Sequence, residues 1–374
     1  MQFSAVGYTL ASMRRTLSVY VDPTKFPNGR RPRGFGALNS RRYVDVFSAL
    51  IHTALWTRSP LVRGLQLSDY WAWLRYGVAI DSVPDLRLSP EWDDVDPHQK
   101  TILSDELGVG VTTYLMADVL KFQRFVDTHY VVRTGSPVSI QLGRSAKRGP
   151  RKAPDYIAMD AMGNFIAVEC KGTQASVAAL EKAMTSGVGQ KSNVTRVAGN
   201  SIAMGLVAGL FIPQNSSVDD ATVLFWDPSW EDLKVILEVM SPDEVRRSVV
   251  RGAVSKQLSL AGAATAAREL AKPRPDGLSP RFSEAAIREI ETLAKPTLVL
   301  DTRLLRERGG AIPLASLSAE VSEKTLAALL AADPVSQLAR GIASEDWKHS
   351  EDEQASTVQT PDGFRYRLEI KSAV

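Results

Sequence analysis

Residues Pro154 to Lys171 read P-D-Y-I-A-M-D-A-M-G-N-F-I-A-V-E-C-K, and this stretch decides the fold. Tyr156 to Met159 and Phe165 to Val168 are apolar at successive positions, the pattern of strands buried on both faces. Between them, Ala161-Met162-Gly163 fits a three-residue hairpin loop, with Gly163 where a positive φ is needed. The register set by that loop puts Asp155 opposite Glu169. Side chains alternate along a strand, so Asp155, Ile157 and Met159 share one face with Phe165, Ala167, Glu169 and Lys171. Two acids and an ammonium therefore meet at one end of the hairpin.

Directly opposed residues on paired strands have Cβ atoms about 4.5–5.5 Å apart. Two carboxylates that close repel, and a proton or a cation must compensate. Lys171 supplies one positive charge. Mg²⁺, a hard ion that takes oxygen ligands and keeps several waters, supplies the rest, with Mn²⁺ as a substitute. A metal held by Asp155 and Glu169 suits phosphodiester chemistry, with Lys171 offsetting the developing negative charge. A further acid on the preceding helix, Glu106, is the expected third ligand. The alternative is a structural ionic cluster at a sheet edge. The same spacing recurs at Asp362…Glu369-Ile-Lys371, but Asp362 lies in a Pro-Asp-Gly turn and cannot face Glu369. Phe364, Tyr366, Leu368 and Ile370 alternate there with charged residues, the pattern of a half-solvated strand.

Working outward, Asp96-Pro97 caps a helix expected to run to about Val126, with Asp105 and Glu106 on it. Gly108 and Gly110 inside that helix cost about 1 kcal/mol each relative to Ala, which predicts close backbone approach, to a sheet. Residues 130–142 read as a strand and 143–153 as a basic loop. Past the hairpin come a helix over Ser176 to Thr185, an apolar run Ile202 to Ile212 and a strand Val223 to Trp226. This is α/β organisation. Residues 1–96 form a basic, mixed and partly helical region. Within it a helix is expected over Ser40 to Thr57, and the Tyr70, Trp71, Trp73, Tyr76 cluster reads as core. Residues 229–374 read as a mainly helical region. Its helices are expected from Ser241-Pro-Asp-Glu244, over Ser283 to Ala294 and over Ser322 to Ala332. A linker follows Lys272, Ser344 to Thr357 is polar and mobile, and a hairpin around Pro361-Asp362-Gly363 ends the chain.

With 374 residues, 44% of them hydrophobic and 23% charged, the chain has ample material for a core. The net charge of +3 alone demands no polyanionic partner, but its distribution is uneven. Residues 1–42 carry eight cations against Asp22. Between Asp127 and Asp155 lie Arg133, Arg144, Lys147, Arg148, Arg151 and Lys152 with no acid. Arg144, Lys147, Arg148, Arg151 and Lys152 are the expected nucleic-acid contacts. A single cysteine, Cys170, rules out an internal disulfide, and the four histidines show no ligand spacing. A reducing cytoplasm is expected, with no signal peptide and no membrane span.

The hairpin resembles the PD-(D/E)xK, or restriction-endonuclease-like, nuclease superfamily. Pro154-Asp155 matches its PD and Glu169-Cys170-Lys171 its ExK. Helix 97–126 is similar to the first core helix, which in many members supplies an upstream acid, here Glu106 or, as second choice, Asp105. Gln190 in G-V-G-Q-K stands where some members carry a further polar catalytic residue. The resemblance covers about 97–228. It implies a central mixed sheet flanked by helices and a Mg²⁺-dependent nuclease acting mainly on DNA, in settings that include restriction and anti-phage defence. A binding or assembly subunit that has lost the chemistry, or an RNase, would use the same residues. Control by a protein partner or by a specific substrate is expected of such an enzyme, and a homo-oligomer is compatible with it.

Overall fold

The computed structural model describes residues 13–32, 34–60, 76–77, 79–134, 154–191, 202–227, 242–272, 281–301, 314–341, 345–352 and 355–371. The elements run β1 (Arg14–Tyr20), α1 (Phe35–Leu38), β2 (Arg41–Asp45), α2 (Val46–Trp56), α3 (Pro97–Leu120), β3 (Phe122–Asp127), α4 (Thr128–Thr134), β4 (Tyr156–Asp160), β5 (Phe165–Thr173), α5 (Val177–Lys191), β6 (Ile202–Phe211) and β7 (Thr222–Trp226). Then follow α6 (Pro242–Leu260), α7 (Ala264–Ala271), α8 (Glu284–Thr292), β8 (Thr297–Asp301), β9 (Leu314–Val321), α9 (Glu323–Leu329), α10 (Pro334–Gly341), β10 (Lys348–Glu351), β11 (Ala355–Gln359) and β12 (Phe364–Lys371).

Seven strands form one mixed sheet in the order β2-β1-β7-β6-β5-β4-β3. β3, β4 and β5 are an antiparallel meander, and α5 carries the chain across to β6, which pairs parallel to β5. The hairpin register is the one expected: Tyr156 pairs with Val168 and Met159 with Phe165, and Gly163 has φ +80°. The Asp160 carboxylate fixes the turn by accepting from the N–H groups of Met162 and Asn164.

Helices cover both faces. On the Cys170 face lies α3, where the Thr112 hydroxyl donates to the Cys170 sulfur at 3.4 Å. Its glycines do different work. A Cβ at Gly108 would stand 2.6 Å from the Lys171 carbonyl oxygen, so that glycine lets the helix meet the sheet. At Gly110 the close neighbours are Ala49 and Thr53 of α2, a helix. On the Glu169 face, Leu180 and Met184 of α5 bury themselves over Gly209 beside Val207 and Phe211. Burial of side chains that size is worth about 1.5–3 kcal/mol each.

Several expected elements take a different form. The helix from Pro97 ends at Leu120, not near Val126. Lys121 turns left-handed (φ +61°), its N–H capping the Met116 carbonyl, and Phe122–Asp127 leaves as an edge strand paired with β4. Tyr130 to Val132 belong to helix α4, and 135–142 lie outside the described residues. Of the expected helix from Ser40, the first part is strand β2, held by β1, and the helix begins at Val46 with Asp45 as its cap. Tyr76 is core, while the rest of its aromatic cluster lies outside the described residues.

Beside helices α6 to α10, the C-terminal region contains a five-stranded antiparallel sheet, β10-β11-β12-β9-β8, of which the sequence reading expected only the closing hairpin. Within the stretch expected to be mobile, Lys348–Glu351 and Ala355–Gln359 are strands, because β12 offers β11 a ladder and β11 offers one to β10. The seven-stranded sheet also crosses the boundary expected at residue 96, since β1 and β2 extend it beyond β7. The linker beyond Lys272 lies outside the described residues.

Candidate active site

The register that pairs β4 with β5 continues one residue past Tyr156–Val168 and brings Asp155 to Glu169. The Asp155 N–H donates to Glu169 Oε2 at 3.1 Å, and the Cys170 N–H donates to Asp155 Oδ2 at 2.8 Å. Lys171 Nζ donates to Glu169 Oε1 at 2.5 Å. Glu169 is 1% exposed, whereas the Lys171 side chain is 21% exposed, so the cluster is buried at its base and open at the ammonium.

Burial, then the facing Glu169 charge, pushes the Asp155 carboxyl up to about 7, and a hydrogen bond shared with Glu169 adds to this. A neutral Asp155 thus relieves the repulsion between the two acids near neutral pH. For Lys171, burial works against the charged form, but the charge and hydrogen bond of Glu169 and the charge of Asp155 outweigh it and raise the pKa. Its ammonium stays protonated, which suits it to holding anionic groups and not to removing protons. The Cys170 thiol is buried and raised, chiefly by burial, and is inert core.

Asp105, on α3, is the acid that feels the Lys171 ammonium, and its carboxylate accepts a backbone hydrogen bond from Gly172. Burial nonetheless raises its pKa overall. Glu106 is half-buried, and its charge is one of several that, after burial, raise the Tyr156 phenol. Asp105, the second choice from the sequence, is the acid shown beside Lys171, and the Gly108–Gly172 crossing that brings α3 to β5 is the signal for it. Gln190 falls in the last turn of α5, with its side chain outside the description. Arg144, Lys147, Arg148, Arg151 and Lys152 lie outside the described residues. Lys256, which sequence reading did not single out, sits with Nζ 5.6 Å from the centre of the Tyr156 ring; no local pattern links positions so far apart.

Among the described residues no group of three or more His, Cys, Asp or Glu side chains is disposed to hold a metal ion. Asp155 and Glu169 alone fit a hard divalent cation in chemistry. They are oxygen donors on facing strands, and the proton they share marks a place where positive charge is favourable. The copy at Asp362 is structural: that carboxylate is buried, accepting from Arg124 Nε and Nη2 at 2.9 and 2.7 Å. Among the described residues, no helix is long and apolar enough to cross a membrane. No protein-family model, no curated protein and no solved structure matches this chain.

Proposed function

We propose that this chain is a Mg²⁺-dependent nuclease that hydrolyses phosphodiester bonds, in DNA before RNA. The carrying observation is the convergence of Asp155, Glu169 and the Lys171 ammonium at the open end of a hairpin otherwise buried on both faces. Burying charge without a partner or a task is costly. The chain order also supports the resemblance to the PD-(D/E)xK superfamily: a helix, an antiparallel meander, a crossover helix, then a parallel strand beside the ExK strand.

Asp155 and Glu169 would hold the ion, which when bound polarises a phosphate oxygen and acidifies a water. Asp155 must give up its proton to take part, so binding the cation and losing the proton are coupled. Lys171, charged and partly exposed, orients the attacked phosphate and offsets the charge that builds on it. Asp105 faces Lys171 from α3 and steadies its position.

The test is incubation of the pure protein with plasmid, linear and single-stranded DNA and with RNA, in Mg²⁺, Mn²⁺ or EDTA. Cleavage is expected in either metal and not in EDTA. Asp155→Ala and Lys171→Ala should each lose about 100- to 1000-fold in rate with the fold intact by circular dichroism. Undiminished cleavage by both variants would overturn the assignment. One observation favours a second reading, a binding subunit without chemistry: Glu169 is already answered by Lys171 and by the Asp155 N–H. Salt-sensitive nucleic-acid binding with no turnover in either metal would select it.

A further inference from the structure

Beyond β7 the seven-stranded sheet ends in β1 and β2, and its two pleat faces differ there. Leu17, Val19 and Val44 point into the core. The other face carries Thr16, Ser18 and Tyr20 of β1, with Tyr43 of β2 opposite Thr16 and Arg41 opposite Ser18. Among the described residues, the large aromatic side chains that stand in solvent are Tyr20 and Tyr43, 55% and 69% exposed, and both lie on this face. Tyr20 pairs with Leu224 of β7, and two residues further on Trp226 lies under Lys25, whose Nζ is 4.9 Å from the ring centre. Lys25, Arg30 and Arg31 are exposed and form no ion pair among the described residues. Asp22, the one acid between Met13 and Val44, is occupied by the N–H and the hydroxyl of Thr24. Arg41 is paired with Asp85 and adds no free charge.

We infer that this face is a binding surface for single-stranded nucleic acid, with unpaired bases stacked on Tyr20 and Tyr43 and phosphates held by Lys25, Arg30 and Arg31. Every base has a π-face, so exposed aromatic rings on a sheet hold a single strand without reading its sequence. Bases inside a duplex are already stacked on one another and cannot use the rings. Single apolar side chains scattered over a surface are ordinary, but here the exposed aromatics share one face and stand beside unpaired cations. Thr16 and Tyr20 are four residues apart, so the two rings are separated by about 13 Å along the strands, a span that suits several nucleotides. The surface lies on the same face of the sheet as the acid pair. Lys171 pairs with Gly209, Gly209 with Leu224 and Leu224 with Tyr20, so Lys171 and Tyr20 stand in one row three strands apart. Helix α5 packs over Gly209 between them, so the surface is a grip beside the cleavage site and not part of it. The inference rests on the reading of this chain as a nuclease for the use made of the bound strand, and it names that strand as single.

Fluorescence anisotropy of a labelled DNA oligonucleotide, with the full chain in EDTA, tests it. The single strand should bind in a salt-sensitive manner and more tightly than the same sequence as a duplex. Tyr20→Ala and Tyr43→Ala should each weaken single-strand binding about fivefold or more, whereas Tyr43→Phe should bind as the unaltered protein does. Lys25→Ala with Arg31→Ala should reduce the slope of log affinity against log salt by about 0.7 for each charge removed. No single-strand binding, tighter binding of the duplex, or equal affinity in the Tyr20→Ala, Tyr43→Ala double variant overturns the inference. So does a double variant altered only in sedimentation, which would make the face a contact between copies. Cleavage in Mg²⁺ with an oligonucleotide that ignores both tyrosines overturns this surface alone. Binding through the tyrosines without cleavage in Mg²⁺ or Mn²⁺ keeps the surface and overturns the nuclease.

Discussion

The Asp155 carboxyl holds its proton up to about pH 7 because burial and the facing Glu169 charge both penalise ionisation. An ordinary aspartate titrates near 3.9, so between about pH 4 and 7 the folded chain binds a proton there that the unfolded chain has lost. That contribution to stability is complete below about pH 4 and disappears as the pH rises through 7. His52 and His349 work in the opposite sense. Burial lowers both, His349 to about 4, so the unfolded chain takes up their protons first and stability falls toward acid. The comparison must therefore be a difference. In metal-free urea melts, the unaltered protein minus Asp155→Asn should lose stability from pH 4.5 to 7.5, by at most about 1.4 kcal/mol per pH unit. A flat difference would mean that Asp155 and Glu169 do not share a proton. Asp155, Glu169 and Lys171 were legible in the sequence because a strand repeats every two residues and a three-residue turn fixes the register. The order of Asp105 and Glu106 was not legible, because adjacent helical positions differ by about 100° and the sequence does not give the helix's rotation on the sheet.

At the scale of elements, the site depends on α3 lying against β5 at van der Waals distance. A Cβ at Gly172 would stand 1.7 Å from the Ser104 carbonyl oxygen, and backbone cannot swing aside as a flexible side chain can. Gly172→Ala should cost about 3 kcal/mol or more, seen as a lower urea midpoint, and should displace Asp105 from Lys171. Glycines inside α3 foretold a close approach. Their sequence positions did not reveal that Gly108 meets a strand and Gly110 a helix. The end of α3 was misread because Phe122, Phe125 and Val126 continue an apolar pattern that helix and edge strand both satisfy. Pairing with β4 and the left-handed turn at Lys121 settled it.

At the scale of the molecule, the two sheets are joined through buried polar contacts. Arg124 of β3 and Asp362 of the β11–β12 turn form an ion pair with no solvent exposure, and Gln257 of α6 donates to the other carboxylate oxygen at 2.6 Å. The His52 ring lies 4.3 Å from that of Trp347, on the approach to β10. Asp362→Ala should cost about 3–5 kcal/mol in urea unfolding, because it strands a buried guanidinium; Arg124→Met with Asp362→Leu should recover much of that loss. If the single change is neutral, the ion pair does not hold the sheets together. The sequence by itself determined the β4–β5 hairpin, its register, the cap of α3 and the triad, all set by neighbours a few residues apart. The tertiary structure alone decided that β1 and β2 join the central sheet and that polar segments near residue 350 become strands. It also decided that Asp362 is a buried anchor. Those outcomes depend on partners hundreds of residues away, and a strand or a buried charge takes its role from the partner it meets.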